Sequence, residues 1–258
     1  MTHDISYRRM LNRMGYYNYQ RGMIVHHAGQ EGEWENHHEH TRKFILKALD
    51  IIKPEKITVL GSGWLLDLPF AEILEKVSRI CLVDIIHPPD VINQVHNYDK
   101  IELIEHDVTG GLIAEVWQKT RKYSFLNRLK SLEKIFVPEY CPDKDPGMII
   151  SLNILTQLEV LPIDFIKKRS KINEEAFNLL RSDIQKKHID FLMKHRSVLI
   201  SDYAEVVTNR SGVTKTIPTL YTDLPSGSLR EEWTWNFDKT GGDLYNSRSQ
   251  FKIVALIN

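Results

Sequence analysis

The sequence predicts an α/β fold: a doubly wound, mostly parallel seven-stranded sheet with helices on both faces. Short apolar runs alternate with stretches of helical periodicity, a pattern typical of parallel sheets. These runs are the first five predicted strands, at 57–60, 80–83, 101–104, 148–152 and 197–201. Two further apolar runs, 232–237 and 251–257, have no helical stretch between them. They therefore predict an antiparallel hairpin that completes the sheet.

Apolar residues at helical spacing predict the helices between these strands. The predicted ranges are 5–14, 34–52, 64–76, 111–121, 124–135 and 163–194, the last with breaks near 170–173. Residues 15–30 are expected to be irregular chain, and a loop containing Gly241 and Gly242 is expected to join the last two strands. The expected domains are an N-terminal arm or lid over 1–40 and a main domain over 41–258. The main domain carries a helical insertion near 111–145.

The composition favours a soluble cytoplasmic protein. The chain of 258 residues has 34 Lys and Arg against 34 Asp and Glu and no long basic stripe, which argues against a nucleic-acid partner. No apolar run approaches the length of a membrane span, and the beginning lacks a signal-peptide pattern. The 2 cysteines do not suggest a disulfide framework. The oligomeric state is left open.

The most informative motif is the turn Gly61-Ser62-Gly63, which directly follows the first predicted strand. Such a turn brings backbone N–H groups close to a bound ligand. The second predicted strand ends at Asp84, 21 residues after Gly63. At this spacing a carboxylate can accept hydrogen bonds from both ribose hydroxyls of a nucleoside. Together they predict a nucleoside-cofactor site at the carboxyl ends of the strands.

Over roughly residues 40–258 the chain resembles the class I (Rossmann-like) S-adenosylmethionine (SAM)-dependent methyltransferase superfamily. The segment 59–65 (Val-Leu-Gly-Ser-Gly-Trp-Leu) matches the first motif of that family with two of its three glycines. The terminal hairpin is also a family feature. The resemblance implies the strand order 3-2-1-4-5-7-6, with strand 7 antiparallel, and SAM as cofactor.

The resemblance also assigns roles to single residues. Gly61, Ser62 and Gly63 would hold the methionine portion of SAM through backbone contacts. Asp84 would bind ribose, and Asp107, in the segment 105–108, would contact adenine. Asn153, at the end of the fourth strand, would border both cofactor and substrate.

Two motif positions depart from the family pattern. Val59 stands where the family has an acid that positions the methionine ammonium, and Leu65 stands where the third glycine would be. Asp67 is the candidate substitute for the acid, on the expectation that it lies one helical turn after Gly63. The alternative is that Asp67 only occupies the first turn of a helix, where the helix dipole favours a carboxylate.

Five histidines lie close together near the N-terminus: His26, His27, His37, His38 and His40. Their spacing matches no zinc motif, so no metal is expected. A histidine near neutrality can remove a proton from a nucleophile, which makes His40 a candidate catalytic residue. Asn153 and Tyr203 are the other candidates, because both follow strands that end at the same crevice. The aromatic residues Tyr16, Tyr19 and Trp34 either form a lid over the site or pack the arm against the domain.

These observations predict an enzyme: a SAM-dependent methyltransferase that acts on an O or N nucleophile of a small molecule. Two alternatives remain open. An NAD(P)-dependent oxidoreductase would also use a glycine turn and a ribose-binding acid. A non-catalytic methyltransferase-like binding or scaffold protein would explain the altered motif at Val59 and Leu65. The sequence identifies neither the methyl acceptor nor whether it is an oxygen or a nitrogen.

Overall fold

A computed structural model describes residues 4–124, 126–239 and 247–258 of the chain. The strands are β1 (Lys56–Leu60), β2 (Arg79–Asp84), β3 (Ile101–Glu105), β4 (Met148–Leu152), β5 (Ser197–Thr208), β6 (Thr214–Pro218), β7 (Leu229–Asp238) and β8 (Arg248–Ile257). The helices are α1 (Ile5–Met14), α2 (Tyr16–Gly29), α3 (Glu35–Ile52), α4 (Phe70–Lys76), α5 (Pro89–Val95), α6 (Leu112–Thr120), α7 (Val160–Lys167) and α8 (Glu174–Leu192). None of these helices is long and apolar enough to cross a membrane.

The strands form one sheet in the order β3-β2-β1-β4-β5-β8-β7, and β6 pairs with β5 outside this path. β1 to β5 are parallel to one another, whereas β8 runs antiparallel to both β5 and β7. If β6 is left out of the numbering, this is the predicted order 3-2-1-4-5-7-6 with strand 7 antiparallel. The predicted fold class is therefore confirmed: the chain has the class I methyltransferase-like fold.

The prediction of seven strands missed one, β6, and ended β5 too early, at residue 201. β5 continues past a bulge between Asp202 and Ala204 and folds back into β6 as a hairpin. Asn209 forms the turn of this hairpin, because its side-chain oxygen accepts hydrogen bonds from the N–H groups of Ser211 and Val213. Gly212 supplies the left-handed backbone conformation that the turn requires, with φ of 81°.

Three predicted helical boundaries were wrong. Residues 16–29, expected to be irregular, form α2, which is separated from α1 by Gly15 with φ of 95°. The helix predicted over 64–76 begins only at Phe70, because Leu65 takes a left-handed conformation that interrupts helical hydrogen bonding. The helix predicted over 124–135 is absent from the described residues of that stretch. There, Leu129 instead pairs with the segment after α7 by two backbone hydrogen bonds. Among the described residues of the insertion near 111–145, α6 is the only helix.

The remaining helices and strands confirm the prediction within a few residues, and α5 adds a short helix after β2. The expected loop at Gly241 and Gly242 lies outside the described residues. Helices cover both faces of the sheet, with α1, α6, α7 and α8 on one side and α3, α4 and α5 on the other. Burial on both faces explains why the central strands are almost continuously apolar. Polar residues gather instead at the carboxyl ends of the parallel strands.

Candidate functional site

The glycine turn lies where β1 ends and is tied to β2. The N–H groups of Gly61 and Ser62 both donate to the carbonyl oxygen of Val83, at 2.9 and 3.3 Å. Gly61 has φ of 78°, and a Cβ there would lie 2.8 Å from the carbonyl oxygen of Leu152. Only glycine fits this position, because both the backbone conformation and the close approach of β4 exclude a side chain. The turn therefore joins three neighbouring strands at one point.

Asp84 joins the second strand to this turn. One carboxylate oxygen accepts a hydrogen bond from the N–H of Gly63 at 2.8 Å, and the other accepts from the N–H of Ile85 at 2.7 Å. Burial raises the pKa of Asp84, and the hydrogen bond from Gly63 opposes the increase. A carboxylate has about four acceptor positions, so Asp84 retains acceptor capacity for hydroxyl groups of a ligand.

Asp107 lies after β3 and holds the beginning of α6. Its oxygens accept hydrogen bonds from the N–H and the hydroxyl of Thr109 and from the N–H of Ile113. Burial raises the pKa of Asp107. The phenols of Tyr7 and Tyr16 lie close enough that its charge adds to burial in raising their pKa values. The N-terminal helices therefore cover this end of the crevice, and the adenine contact of Asp107 stays a prediction.

Asp67 lies in the non-helical loop between Gly63 and α4, so neither its predicted helical position nor the alternative of a helix first turn holds. Its carboxylate nevertheless reaches the end of β4, where the side-chain amide of Asn153 donates to it at 2.8 Å. Nε2 of His38 lies 3.1 Å from the other oxygen. Burial raises the pKa of Asp67, and His38 opposes the increase. Asp67 and Asn153, two residues predicted separately, thus form one cluster.

His37 completes this cluster from α3 and is fully buried. Its Nδ1 accepts a hydrogen bond from the indole N–H of Trp233 at 3.0 Å, and its Nε2 lies 3.0 Å from the amide nitrogen of Asn153. The ring stacks on Trp235 with 4.1 Å between centroids and 9° between planes. Burial lowers the pKa of His37 to about 3, so the imidazole is neutral at physiological pH.

The other histidines have different surroundings. His40 is exposed and stacks on Trp233 from outside, with 5.4 Å between ring centroids. Nε2 of His26 lies 2.9 Å from the carbonyl oxygen of Phe237, and His27 packs against Trp34. Within the described ranges, no group of three or more His, Cys, Asp or Glu residues is arranged to hold a metal ion. Of the five histidines, His37 and His38 are the two placed beside Asp67.

A second polar region lies beside the first, where β5 passes the end of β4. Asp202 is buried and accepts a hydrogen bond from the hydroxyl of Thr156 at 2.5 Å. Burial raises the pKa of Asp202. Tyr19 of α2 reaches the same place, where its hydroxyl donates to the side chain of Gln157. Burial and the nearby charge of Asp202 raise the pKa of Tyr19 to about 12.

Glu159 is a second buried acid in this region. The side-chain oxygen of Gln185 accepts a hydrogen bond from the N–H of Tyr221. The NH2 group of Gln185 therefore points toward Glu159, and its nitrogen lies 3.3 and 3.2 Å from the two carboxylate oxygens. The guanidinium of Arg181 is 4.0 Å away. Burial raises the pKa of Glu159 to about 8, and Asp202 contributes to the increase. Two carboxyl groups, those of Asp202 and Glu159, are thus buried close together beside the middle of β5.

Helix α2 lies across the crevice between these regions. The indole N–H of Trp64 donates to the backbone oxygen of Gln20 at 3.0 Å, and the side chain of Gln20 donates to the backbone oxygen of Ile86 at 2.5 Å. These contacts connect the arm to the glycine turn and to the residues after Asp84. Tyr203 lies farther along β5, and its hydroxyl donates to Glu232 at 3.2 Å.

A cavity of about 680 Å³ lies away from the strand ends, between α1 and α6. Its lining includes Arg9, Arg13, Trp117 and Arg121 and none of the predicted site residues. We therefore place the candidate site at the strand ends and not in this cavity.

Seven residues were predicted from the sequence to bind the cofactor, and all of them lie at this edge of the sheet: Gly61, Ser62, Gly63, Asp67, Asp84, Asp107 and Asn153. No individual role was predicted for His37, His38, Asp202 or Glu159. Asp202 could have been predicted from the sequence, since it comes directly after a predicted strand, 197–201, much as Asp84 ends the second one. Glu159 had no such signal, and His37 had only its place among the five clustered histidines, because the tertiary fold alone brings these two residues to the site.

No known family profile matches the sequence, and no curated protein matches it. Among solved structures, the chain is similar to the Burkholderia thailandensis 1,6-didemethyltoxoflavin-N1-methyltransferase bound to 1,6-didemethyltoxoflavin and S-adenosylhomocysteine. That match has 10% identity, covers 100% of this chain and 92% of the other, and has a TM-score of 0.43. The DhpI-SAM-HEP complex matches with 9% identity over 100% of both chains and a TM-score of 0.40.

A third match is the N-methyltransferase NodS from Bradyrhizobium japonicum WM9, in complex with S-adenosylhomocysteine. It has 10% identity, covers 85% of this chain and 86% of NodS, and has a TM-score of 0.38. Identities and scores this low say nothing about the activity of the chain. The strand order β3-β2-β1-β4-β5-β8-β7, with β8 antiparallel, is what gives this chain the class I methyltransferase-like fold.

Proposed function

We propose that the protein is a SAM-dependent methyltransferase that acts on an O or N nucleophile of a small molecule. The observation that carries the proposal is the link between Gly63 and Asp84. The N–H of Gly63 donates to the Asp84 carboxylate, so the glycine turn and the strand-end acid form one unit on a sheet with this strand order. That unit has the donors and acceptors that a nucleoside cofactor requires.

The residues present fit the cofactor at both of its ends. Asp84 keeps acceptor positions for the ribose hydroxyls. At the methionine end, Oδ1 of Asn153 is buried without a hydrogen-bond partner, and the Asp67 carboxylate lies beside it. A ligand ammonium would satisfy both, which supports Asp67 as the substitute for the acid that Val59 replaces.

When bound, SAM supplies a methyl group that its sulfonium has already activated. The protein then has to align the acceptor and exclude water. We place the acceptor beside Tyr19, Thr156 and Asp202, because β5 runs next to the end of β4. Asp202, with its raised pKa, is the group in this region best suited to take a proton from a nucleophile.

The acceptor is proposed to be a small molecule because α2 covers the crevice and the chain has a net charge of zero. A polymer would need an open, positively charged groove. Helix α2, which belongs to the arm predicted over 1–40, is therefore part of the proposed site and acts as its cover. The methylated atom is left as an oxygen or a nitrogen.

The test is calorimetric titration of the purified protein with SAM, S-adenosylhomocysteine and NAD(P)H. We expect micromolar binding of the first two, and Asp84→Ala should weaken it at least about tenfold, because charge-assisted hydrogen bonds contribute about 1.5–3 kcal/mol. Asp99→Ala, an exposed acid before β3, is the matched control and should bind like the wild type.

Other outcomes would overturn the proposal. Binding of NAD(P)H with no affinity for SAM would indicate an oxidoreductase. A folded protein that binds neither nucleoside would indicate a non-catalytic protein with this fold. An Asp84→Ala variant that binds SAM as tightly as the wild type would remove Asp84 from the proposed site.

A further inference from the structure

The hydrogen bonds around His37 fix which of its nitrogens carries the hydrogen. An indole N–H can only donate, so Nδ1 of His37 must accept the hydrogen bond from Trp233. The neutral imidazole then carries its hydrogen on Nε2. His37 is fully buried and stacked on Trp235, so its ring cannot turn toward solvent and form hydrogen bonds with water instead. Nε2 of His37 is therefore a donor that needs an acceptor.

The atom facing that donor is also a donor. Nδ2 of Asn153 lies 3.0 Å from Nε2 of His37 and donates to Asp67 at 2.8 Å. Meanwhile Oδ1 of Asn153 is buried without a partner. A buried polar group without a partner costs about 1–3 kcal/mol. In this orientation, the Asn153 amide leaves both the His37 N–H and its own oxygen unsatisfied.

A half-turn of the amide would satisfy the His37 N–H and would move the NH2 group to the buried position where Oδ1 now lies without a partner. It also changes what Asp67 must provide. Oδ1 of Asn153 would then accept from Nε2 of His37 and would lie against the Asp67 oxygen. Two oxygens at hydrogen-bond distance attract each other only with a hydrogen between them. The turned amide therefore requires a protonated Asp67, whereas the ionised Asp67 requires the amide to donate to it. The protonation of Asp67 and the orientation of Asn153 are coupled.

We propose that Asp67 is protonated in the ligand-free protein and releases this proton to solvent when a ligand ammonium binds, while Asn153 turns its oxygen toward the ammonium. The inference rests on the proposed function, which supplies the ammonium as the amino group of SAM. The cation stabilises the Asp67 carboxylate and gives the Asn153 oxygen a partner. Those two gains offset the unfavourable contact of Asn153 with His37.

The charges around Asp67 are consistent with a proton that can be displaced. Burial raises the pKa of Asp67, while His38, the hydrogen bond from Asn153, Arg42 and His27 lower it. Nε2 of His37 lies 3.8 Å from an Asp67 oxygen, but the His37 ring is neutral and adds no positive charge there. Arg42 is partly held elsewhere, since it donates to the backbone oxygen of Leu66 at 2.6 Å and lies 3.5 Å from Glu35. A ligand cation beside Asp67 would lower the pKa of this carboxyl group further.

The first test uses the ligand-free protein, so it does not depend on cofactor binding. A pH titration by NMR follows the Asp67 carboxyl carbon and the Asn153 side-chain amide. We expect both signals to change with one midpoint that lies above the usual pKa of an aspartate. In Asp67→Asn the Asn153 signal should not titrate. In His37→Phe, which keeps a ring against Trp235, the midpoint should fall.

The inference is wrong if Asp67 titrates at or below its usual pKa, or if the Asn153 amide does not respond. Asp67→Asn guards against a His37→Phe variant that fails to fold, because it tests the same coupling with a side chain of nearly equal size. A midpoint unchanged in folded His37→Phe would remove His37 from the coupling.

The second test is calorimetry with SAM in buffers of different ionisation enthalpy, below the NMR midpoint. We expect about one proton released per ligand bound, and none for Asp67→Asn. SAM binding without proton release would overturn this inference and leave the proposed function intact. If the NMR coupling is present but SAM does not bind, the proposed function fails, and the assignment of the ammonium fails with it.

Discussion

The buried carboxyl groups at the strand ends fall into two kinds. Asp84 and Asp107 accept hydrogen bonds from main-chain N–H groups, and all but one of these lie within six residues along the chain. Asp67 and Asp202 are held by the side chains of Asn153 and Thr156, which lie 86 and 46 residues away. The first kind is fixed by the backbone, and the second depends on groups that can turn.

The difference separates residues that build the site from residues that can respond to a ligand. A main-chain N–H always donates and cannot move without unfolding its element, so Asp84 and Asp107 are constant acceptors. An amide or hydroxyl can present a different atom, so Asp67 and Asp202 can gain or lose a proton with local rearrangement alone. In our proposal, Asp84 and Asp107 bind the cofactor, whereas Asp67 and Asp202 exchange protons.

The largest effect is expected at Gly61, in the turn whose backbone holds Asp84. Gly61→Ala would place a Cβ 2.8 Å from Leu152 and Ile154 at a φ of 78°, so we expect a loss of about 3 kcal/mol or more in the free energy of unfolding. Urea denaturation measures it. Gly22→Ala, in an exposed part of α2 where a Cβ meets nothing within 4 Å, is the control and should be neutral or stabilising. Equal effects of the two variants would contradict this account of the turn.

Conservative replacement of one acid of each kind sharpens the comparison. In Asp84→Asn, the new NH2 group would face a main-chain N–H, so we expect a loss of about 2 kcal/mol in stability. In Asp67→Asn, the loss should stay below about 1 kcal/mol, because Asn153 can turn its amide to keep a hydrogen bond. Thermal and urea denaturation of both variants at pH 7 give the result. The reverse order of stabilities would show that side-chain partners are as rigid as the backbone.

Glu159 also belongs to the second kind, because the side-chain amide of Gln185 donates to it, and a pH series tests it. Its pKa is raised from 4.5 to about 8 by burial, so the folded state binds more protons than the unfolded state between these values. Stability should therefore fall as pH rises through this window, by on the order of 2 kcal/mol. Glu159→Gln should flatten the dependence in urea denaturation at pH 5 and pH 8. The prediction fails if wild type and variant lose the same stability between these pH values.

The smallest effect is expected at His40. It is exposed and its main contact is the stack on Trp233, so His40→Ala should cost less than about 1 kcal/mol and leave cofactor affinity unchanged. Denaturation and SAM titration measure both quantities. His37→Ala is the paired comparison and should cost more, because it leaves the Trp233 N–H unpaired in the interior. A clear loss of SAM affinity in His40→Ala would contradict this prediction.

The sequence predicted most of the sheet because buried parallel strands are short apolar runs with visible ends. It failed where tertiary contacts override local preference. Residues around Leu129 have helical periodicity but pair with the segment after α7, and the helix expected from residue 64 is interrupted at Leu65. The β5–β6 hairpin was missed because β6 is mostly exposed and has no apolar run.

By itself, the sequence determined the fold class and the position of the glycine turn and Asp84. Both depend on short stretches of chain, in which strand, turn and acid follow one another. Only the tertiary structure decided that Asp67, Asn153, His37 and Trp233 meet, since helix α3, the loop before α4, the end of β4 and the middle of β7 are distant along the chain. The physical reason is that hydrogen bonds between side chains are set by packing in three dimensions, whereas a strand and its turn are set by neighbours in sequence.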